Sequence, residues 1–141
     1  MGVTSLDDLR KKYAERRIML THPMQIGLKY YQEFQQRIHH QEITEMEEYI
    51  RSCVREIHPD VLVEVYGSYR RQRPTSGDLD VLMTCHSIMN VEDLISSRTQ
   101  YLRDIVQSLK RTGFLIDDLT SQGDTKYMGV CSPWRQYWSE N

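Results

Sequence analysis

Gly67-Ser68-Tyr69-Arg70-Arg71, six turn residues, and then Asp78-Leu79-Asp80 form the most informative stretch of this chain. Before it, Val61-Leu62-Val63-Glu64-Val65-Tyr66 is short and β-branched, which predicts a strand, and Leu79-Asp80-Val81-Leu82-Met83 predicts a second. Asp78 and Asp80 stand two apart at the start of that second strand, so both side chains are expected on one face. Carboxylates held that close repel, and a fold that keeps them together supplies a bound cation, a shared proton or full solvation. Mg²⁺ takes oxygen ligands, often one or two carboxylates completed by substrate phosphates. Gly67 lets the backbone approach a phosphate, and Ser68 offers an N–H and a hydroxyl. Arg70 or Arg71 supplies a guanidinium matched to phosphate oxygens, and Gly77 leaves an open amide beside Asp78. Taken singly, each feature reads more simply as a turn, a wet surface arginine or a solvated carboxylate. Taken together, they put a metal pair and a phosphate cradle within fourteen residues, the minimum for phosphoryl transfer with two metals.

Upstream of this stretch the chain reads as helical. Thr4-Ser5-Leu6-Asp7-Asp8 is a helix start, with a hydroxyl to cap and carboxylates in the first turn. Thr21-His22-Pro23 is another, and Met24, Leu28, Tyr31, Phe34 or Gln35, and Ile38 come after it at helical spacing. A third helix carries Ile43, Met46, Ile50, Cys53 or Val54, and Ile57 on one stripe and stops at His58-Pro59-Asp60. The first sixty residues are therefore expected to be helical. Downstream, residues 67–77 read as a polar turn region, and Leu94 to Lys110 as an amphipathic helix. Its stripe is Leu94, Tyr101 or Leu102, Ile105 or Val106, and Leu109, with Gly113 as C-cap. Phe114-Leu115-Ile116 and Lys126-Tyr127-Met128-Gly129-Val130 predict two more strands, and Ser132–Asn141 carries Trp134, Tyr137 and Trp138 without periodicity. The expected fold class is α/β, a helical lobe followed by a small mixed sheet with helices.

Composition narrows the function classes. With 141 residues, 39% hydrophobic and 27% charged, the chain can bury a core as one domain or two small lobes. No apolar run approaches the length of a membrane span, and the N-terminus is polar from Thr4 onward, so neither a membrane helix nor a secretory signal is expected. Cys53, Cys85 and Cys131 lie far apart, which argues against a disulfide framework or zinc ribbon and for a reducing compartment. A net charge of −2 and a pI near 6.2 do not by themselves suggest nucleic acid. Local basic groups at Arg10–Arg17 and at Arg70, Arg71 and Arg73 can still meet phosphates.

Gly67-Ser-Tyr-Arg-Arg71 with Ser76-Gly-Asp-Leu-Asp-Val-Leu-Met-Thr84 closely resembles the palm of the family X DNA polymerases, the beta and lambda type. Gly2-Val-Thr-Ser-Leu-Asp-Asp-Leu-Arg10 looks like the second half of their second helix-hairpin-helix, and Gln25–Tyr31 with Phe34–Ile38 like their fingers-type helices. Gly113–Leu119 and Thr125–Cys131 are similar to the palm strands that come next, and Phe114–Gln122 leans towards lambda. The resemblance implies the end of a helix-hairpin-helix at residues 1–20, a fingers-type subdomain at 21–60, a partial palm at 61–131 and a divergent aromatic tail at 132–141. It further implies Asp78 and Asp80 as catalytic ligands of Mg²⁺, with Mn²⁺ as an alternative. Gly67, Ser68, Arg71 and Gly77 would hold the phosphates of a dNTP, and Lys126 and Tyr127 would lie near primer–template or gapped DNA. A nuclear, monomeric DNA repair polymerase is implied by the family alone, with no membrane partner.

The departures carry expectations of their own. His40 stands where the family carries a further triphosphate-binding arginine, and a neutral imidazole offers one donor in place of a charged fork. Gln72 stands where a small residue, commonly glycine, comes after Arg71. No residue aligns with the family's third carboxylate, Glu140 included, and the thumb and lyase domain have no counterpart. The 141 residues alone are therefore expected to bind a metal–nucleotide complex and not to polymerise. The competing readings are a stand-alone small nucleotidyltransferase, which needs a third Asp on a strand inside the chain, and a non-catalytic DNA- or nucleotide-binding truncation product.

Overall fold

The computed structural model describes residues 2–85, 91–120, 123 and 125–132, with the backbone but not the side chains of 91–99. The expectations placed on Leu94, Trp134, Tyr137, Trp138 and Glu140 lie outside the described residues. In chain order the elements are α1 (Leu6–Ala14), α2 (His22–Lys29), α3 (Tyr31–Phe34), β1 (Ile38–His39), α4 (His40–Ile57), β2 (Val61–Val65), α5 (Gly67–Arg70), β3 (Thr75–Ser76), β4 (Val81–Cys85), α6 (Val91–Arg111), β5 (Leu115–Asp118) and β6 (Gly129–Cys131). The architecture is the α/β arrangement expected, a helical region followed by small sheets backed by long helices. Among the described residues the strands form three antiparallel two-stranded ladders, β1 with β3, β2 with β4, and β5 with β6.

The helical starts obey the local chemistry. Ser5 caps α1 by accepting the Asp8 N–H at 3.1 Å, and Asp7 and Asp8 face the positive end of the helix. Glu42 reaches back to the His39 N–H at 3.0 Å and closes the start of α4. The amphipathic stripe of α4 is the best-read element of the chain: Ile43, Met46, Ile50, Cys53 and Val54 are all buried. Met46, Ile50, Cys53 and Val54 pack with Val61 and Val63 of β2, Ile105 and Leu109 of α6, and Phe114 into one core. Tyr49 stacks on Phe114 at 5.5 Å.

Four expectations need correction. The first sixty residues are not wholly helical, because Ile38 and His39 pair with Ser76 and Thr75 as β1 against β3. Residues 67–77 are correspondingly more than a turn, since they hold α5 and β3. The stripe through Met24, Tyr31 and Phe34 is exposed, and Ile26 is the buried residue. The helix breaks at Tyr30, whose ψ of 23° ends α2 and shifts the phase of α3 relative to it. Finally, β4 begins at Val81 rather than Leu79, β5 at Leu115 rather than Phe114, and β6 at Gly129 rather than Lys126. Pairing of β2 with β4 stops at Val65–Val81 because Gly67, at φ +69°, turns the partner chain away after one last bond from Tyr66 N–H to Asp80 O at 2.8 Å. Ahead of β6, the Met128 carbonyl is taken up by the Leu119 and Thr120 amides that close the turn.

Two details fix where the ladders stop. The free edge of β2 is covered by α4: Arg51 donates to Val63 O at 3.0 Å and to Glu47, whose Oε1 accepts the Val65 N–H at 3.3 Å. Ile116, skipped by the register shift between Leu115 and Asp117, is exposed at the bulge. Gly113 ends α6 in the left-handed region at φ +75°, as its position predicts.

Candidate active site

The chemistry-bearing residues gather where β2 runs into α5 and where β3 runs into β4. Asp78 and Asp80 precede β4 and are both exposed, while Leu79 between them and Val81 after them pack on the core. That alternation turns the two carboxylates outward together although neither lies in the strand itself. The Asp80 carboxylate rests against Gly67: a Cβ on Gly67 would stand 2.7 Å from Asp80 Oδ2. Gly67 is thus required twice, by its positive φ and by the side chain that covers it.

Ser68 comes next in the first turn of α5, and its hydroxyl donates to Ser76 Oγ at 2.7 Å. Ser76 is 1% exposed, so this bond ties the start of α5 to β3 from beneath and leaves Gly77 at the surface. The two arginines separate. Arg70 lies over the Tyr66 ring at 4.6 Å, a cation–π contact, whereas Arg71 is exposed with no partner among the described residues. Gln72 then takes φ +57°, a left-handed conformation that glycine adopts freely and a side chain does not. That explains why a small residue suits this position.

His40 is occupied. Its ring stacks on Tyr69 at 4.3 Å, its Nδ1 donates to Arg73 O at 3.2 Å, and its backbone N–H donates to Pro74 O at 3.0 Å. Thr44 and Tyr69 share a further bond of 3.0 Å. His40 therefore fastens the loop after α5 to the first turn of α4. Arg37 carries no mark in the sequence pattern. It donates from Nε to Thr75 Oγ1 at 3.1 Å and from Nη2 to Thr75 O at 2.9 Å, and its Nη1 lies 3.5 Å from where a Cβ on Gly77 would stand. Helical periodicity does not pick it out; the signal is the β1–β3 register, which continues from Ile38–Ser76 to set Arg37 opposite Gly77.

Lys126 is exposed, and its carbonyl accepts the Gly123 N–H at 3.2 Å. Tyr127 is tied into the fold instead of standing free. Its hydroxyl donates to Asp118 Oδ1 at 2.7 Å and its ring lies against Gly129. Burial, then the Asp118 carboxylate, pushes the phenol well above its ordinary range. Two exposed carboxylates suit a hard divalent cation as part of a ligand set. Among the described residues no group of three or more His, Cys, Asp or Glu side chains gathers to hold a metal.

A family model described as DNA polymerase beta palm matches residues 37–138, and one described as the fingers domain of DNA polymerase lambda matches residues 1–35. The chain is 35% identical to DNA polymerase lambda of Rattus norvegicus over 134 residues, 92% of this chain and 21% of that protein. It is 33% identical to DNA polymerase lambda of Arabidopsis thaliana over 140 residues, 93% of this chain and 24% of the relative. A DNA nucleotidylexotransferase of Xenopus laevis is 31% identical over 85 residues, 60% of this chain and 16% of the relative. The chain spans between a fifth and a quarter of the length of the two polymerases it matches.

Proposed function

The chain belongs to the family X DNA polymerases, on the lambda side, and we propose accordingly that it carries the nucleotide-binding half of a metal-dependent nucleotidyl-transfer site. The observation that carries the reading is the Asp80 carboxylate seated on Gly67, with Asp78, Gly77 and Arg71 exposed around it. Asp78 and Asp80 would hold Mg²⁺, or Mn²⁺. Bound there, the metal would polarise the phosphoryl oxygens and neutralise the charge that develops during transfer from a dNTP to a primer 3′-hydroxyl. The protein's own part is positioning. Gly67 gives the backbone room, Ser68 and Gly77 present amides, and Arg71 offers a free guanidinium fork to the triphosphate. Lys126, with Tyr127 beside it, would face the primer–template.

We further propose the end of a helix-hairpin-helix at residues 1–20, fingers-type helices at 21–60, palm at 61–131 and an aromatic tail beyond. The apolar face of α4 would be shared, since it closes the palm core. In the whole protein this site would serve DNA repair in the nucleus. With two carboxylates and no third ligand beside them among the described residues, the 141 residues by themselves should bind metal–nucleotide without turning it over.

A ¹H–¹⁵N correlation spectrum with Mg²⁺ and a dNTP tests this. Shifts at Ser68, Arg71, Gly77, Asp78 and Asp80 that need the metal and vanish in Asp78→Asn/Asp80→Asn are expected. Shifts that persist in that variant would overturn the site, and gap filling by the 141 residues, lost in Asp80→Ala, would overturn the expected lack of turnover.

A further inference from the structure

We propose that His40 is a positioning residue for Arg71, holding the loop after α5 in a left-handed turn that Gln72 resists. The inference rests on the proposed nucleotide site and adds to it a residue that does not touch the ligand. His40 grips the chain on both sides of Arg71. Ahead of it, the Tyr69 ring stacks on the His40 ring at 4.3 Å. Thr44 joins the pair, donating to His40 O at 3.1 Å and sharing a bond of 3.0 Å with the Tyr69 hydroxyl. Beyond Arg71, the His40 ring donates from Nδ1 to Arg73 O at 3.2 Å, and the His40 N–H donates to Pro74 O at 3.0 Å.

Without that grip the loop has reason to move. Gln72 sits between the two held points at φ +57°, where a side chain is strained. Arg71, Gln72, Arg73 and Pro74 are all exposed and none belongs to the apolar core, so burial does not hold them. The single turn of α5 is too short to be stable by itself. It gives the loop Tyr69 O and Ser68 O, which accept from the Gln72 and Arg73 amides at 2.9 and 3.2 Å. Released from His40, Gln72 can relax towards negative φ, and the Arg71 guanidinium turns away with its backbone. An arginine that must be ordered anew at each binding event loses affinity to conformational entropy.

The test is a double-mutant cycle on the 141-residue chain with His40→Ala, Gln72→Gly and both together, each checked for folding by thermal melts. If His40→Ala does not fold, His40→Asn, which keeps a donor for Arg73 O and loses the ring, takes its place. Amide exchange at Gln72 and Arg73 reports the loop without any ligand. Calorimetric titration in Mg²⁺ with dTTP, and separately with dTMP, reports the cradle. His40→Ala should speed exchange at both amides about tenfold and weaken dTTP binding roughly tenfold, the size of a lost hydrogen bond, leaving dTMP unaffected. Glycine adopts the left-handed turn freely, so in the Gln72→Gly background the same change should have under about a threefold effect on either readout. Equal losses in the two backgrounds would show that His40 does not act against the strain at Gln72 and would overturn the proposal. Equal losses for dTTP and dTMP would overturn it too, by reducing His40 to a general support of the fold. Unchanged exchange and dTTP affinity in His40→Ala, with Arg71→Ala still defective, would overturn it while leaving the nucleotide site intact. Exchange that obeys the cycle in a chain that binds no dTTP would remove the site and the role of His40 in it together.

Discussion

At Gly67 the chain meets two demands that no other residue type satisfies. The φ of +69° costs a side chain about 1–2 kcal/mol, and the Asp80 carboxylate occupies the space a Cβ needs. Gly67→Ala is therefore expected to lower stability by about 1–2 kcal/mol in urea unfolding and to displace Asp80. Loss of metal-dependent shifts at Asp78 and Asp80 in a folded Gly67→Ala protein is the accompanying result; a variant with wild-type stability and metal response would refute the packing described. That Asp78 and Asp80 turn outward together was legible in the sequence, because they alternate with apolar residues. The contact of Arg37 with Gly77 was not, because the two are distant in the chain and meet only beside the β1–β3 pairing.

Among the elements, α2 and the Tyr30 that ends it are joined to β5 by polar bonds. Asp117 accepts from Lys29 Nζ at 2.6 Å and from the Tyr30 hydroxyl at 2.5 Å, and His22 Nε2 lies 2.7 Å from Asp118 O. Asp118 in turn accepts from Lys110 and Tyr127. The Lys29 ammonium, then the Tyr30 hydroxyl, holds the Asp117 carboxyl below its ordinary value; Lys110 and then Tyr127 do the same for Asp118. A carboxyl depressed in the folded state stabilises fully above its unfolded pKa of about 3.9, and that stabilisation disappears as the pH falls through the lower folded value. The connection of α2 to β5 should accordingly hold at neutral pH and weaken in acid below about pH 4. Urea midpoints measured from neutral pH into acid should fall more steeply for the wild type than for Asp117→Asn. Parallel curves would show that the pair contributes nothing; 59% of the Lys29 side chain is exposed, and solvent screens such a pair.

For the molecule as a whole, one core joins α4, α6, β2 and the start of β5, and Phe114 is its largest fully buried side chain. Its ring stacks on Tyr49 of α4, so removing the ring strips that helix contact from the core, while the bond from Ser132 N–H to its carbonyl at 2.8 Å is a backbone one. Phe114→Ala is expected to cost about 3–5 kcal/mol, a large part of the stability of a domain this size. Chemical denaturation followed by circular dichroism would measure it, and a loss under about 1 kcal/mol would show that the site repacks. The candidate site hangs from this core through Leu79 and Val81, so its geometry should be lost together with Phe114 packing.

Local sequence was enough to specify the stripe of α4, the strand β2, the glycine that ends α6 and the shared outward face of Asp78 and Asp80. Each of these rests on helical or alternating periodicity, or on a residue type fixed by local backbone conformation. Tertiary contacts settled the features that periodicity cannot encode. Through them Ile38 and His39 form a strand against Thr75 and Ser76, His40 is spent on Tyr69 and Arg73, and Arg37 reaches Gly77. Those outcomes depend on which distant backbone offers a hydrogen-bonding edge, and only the folded chain brings that edge within reach.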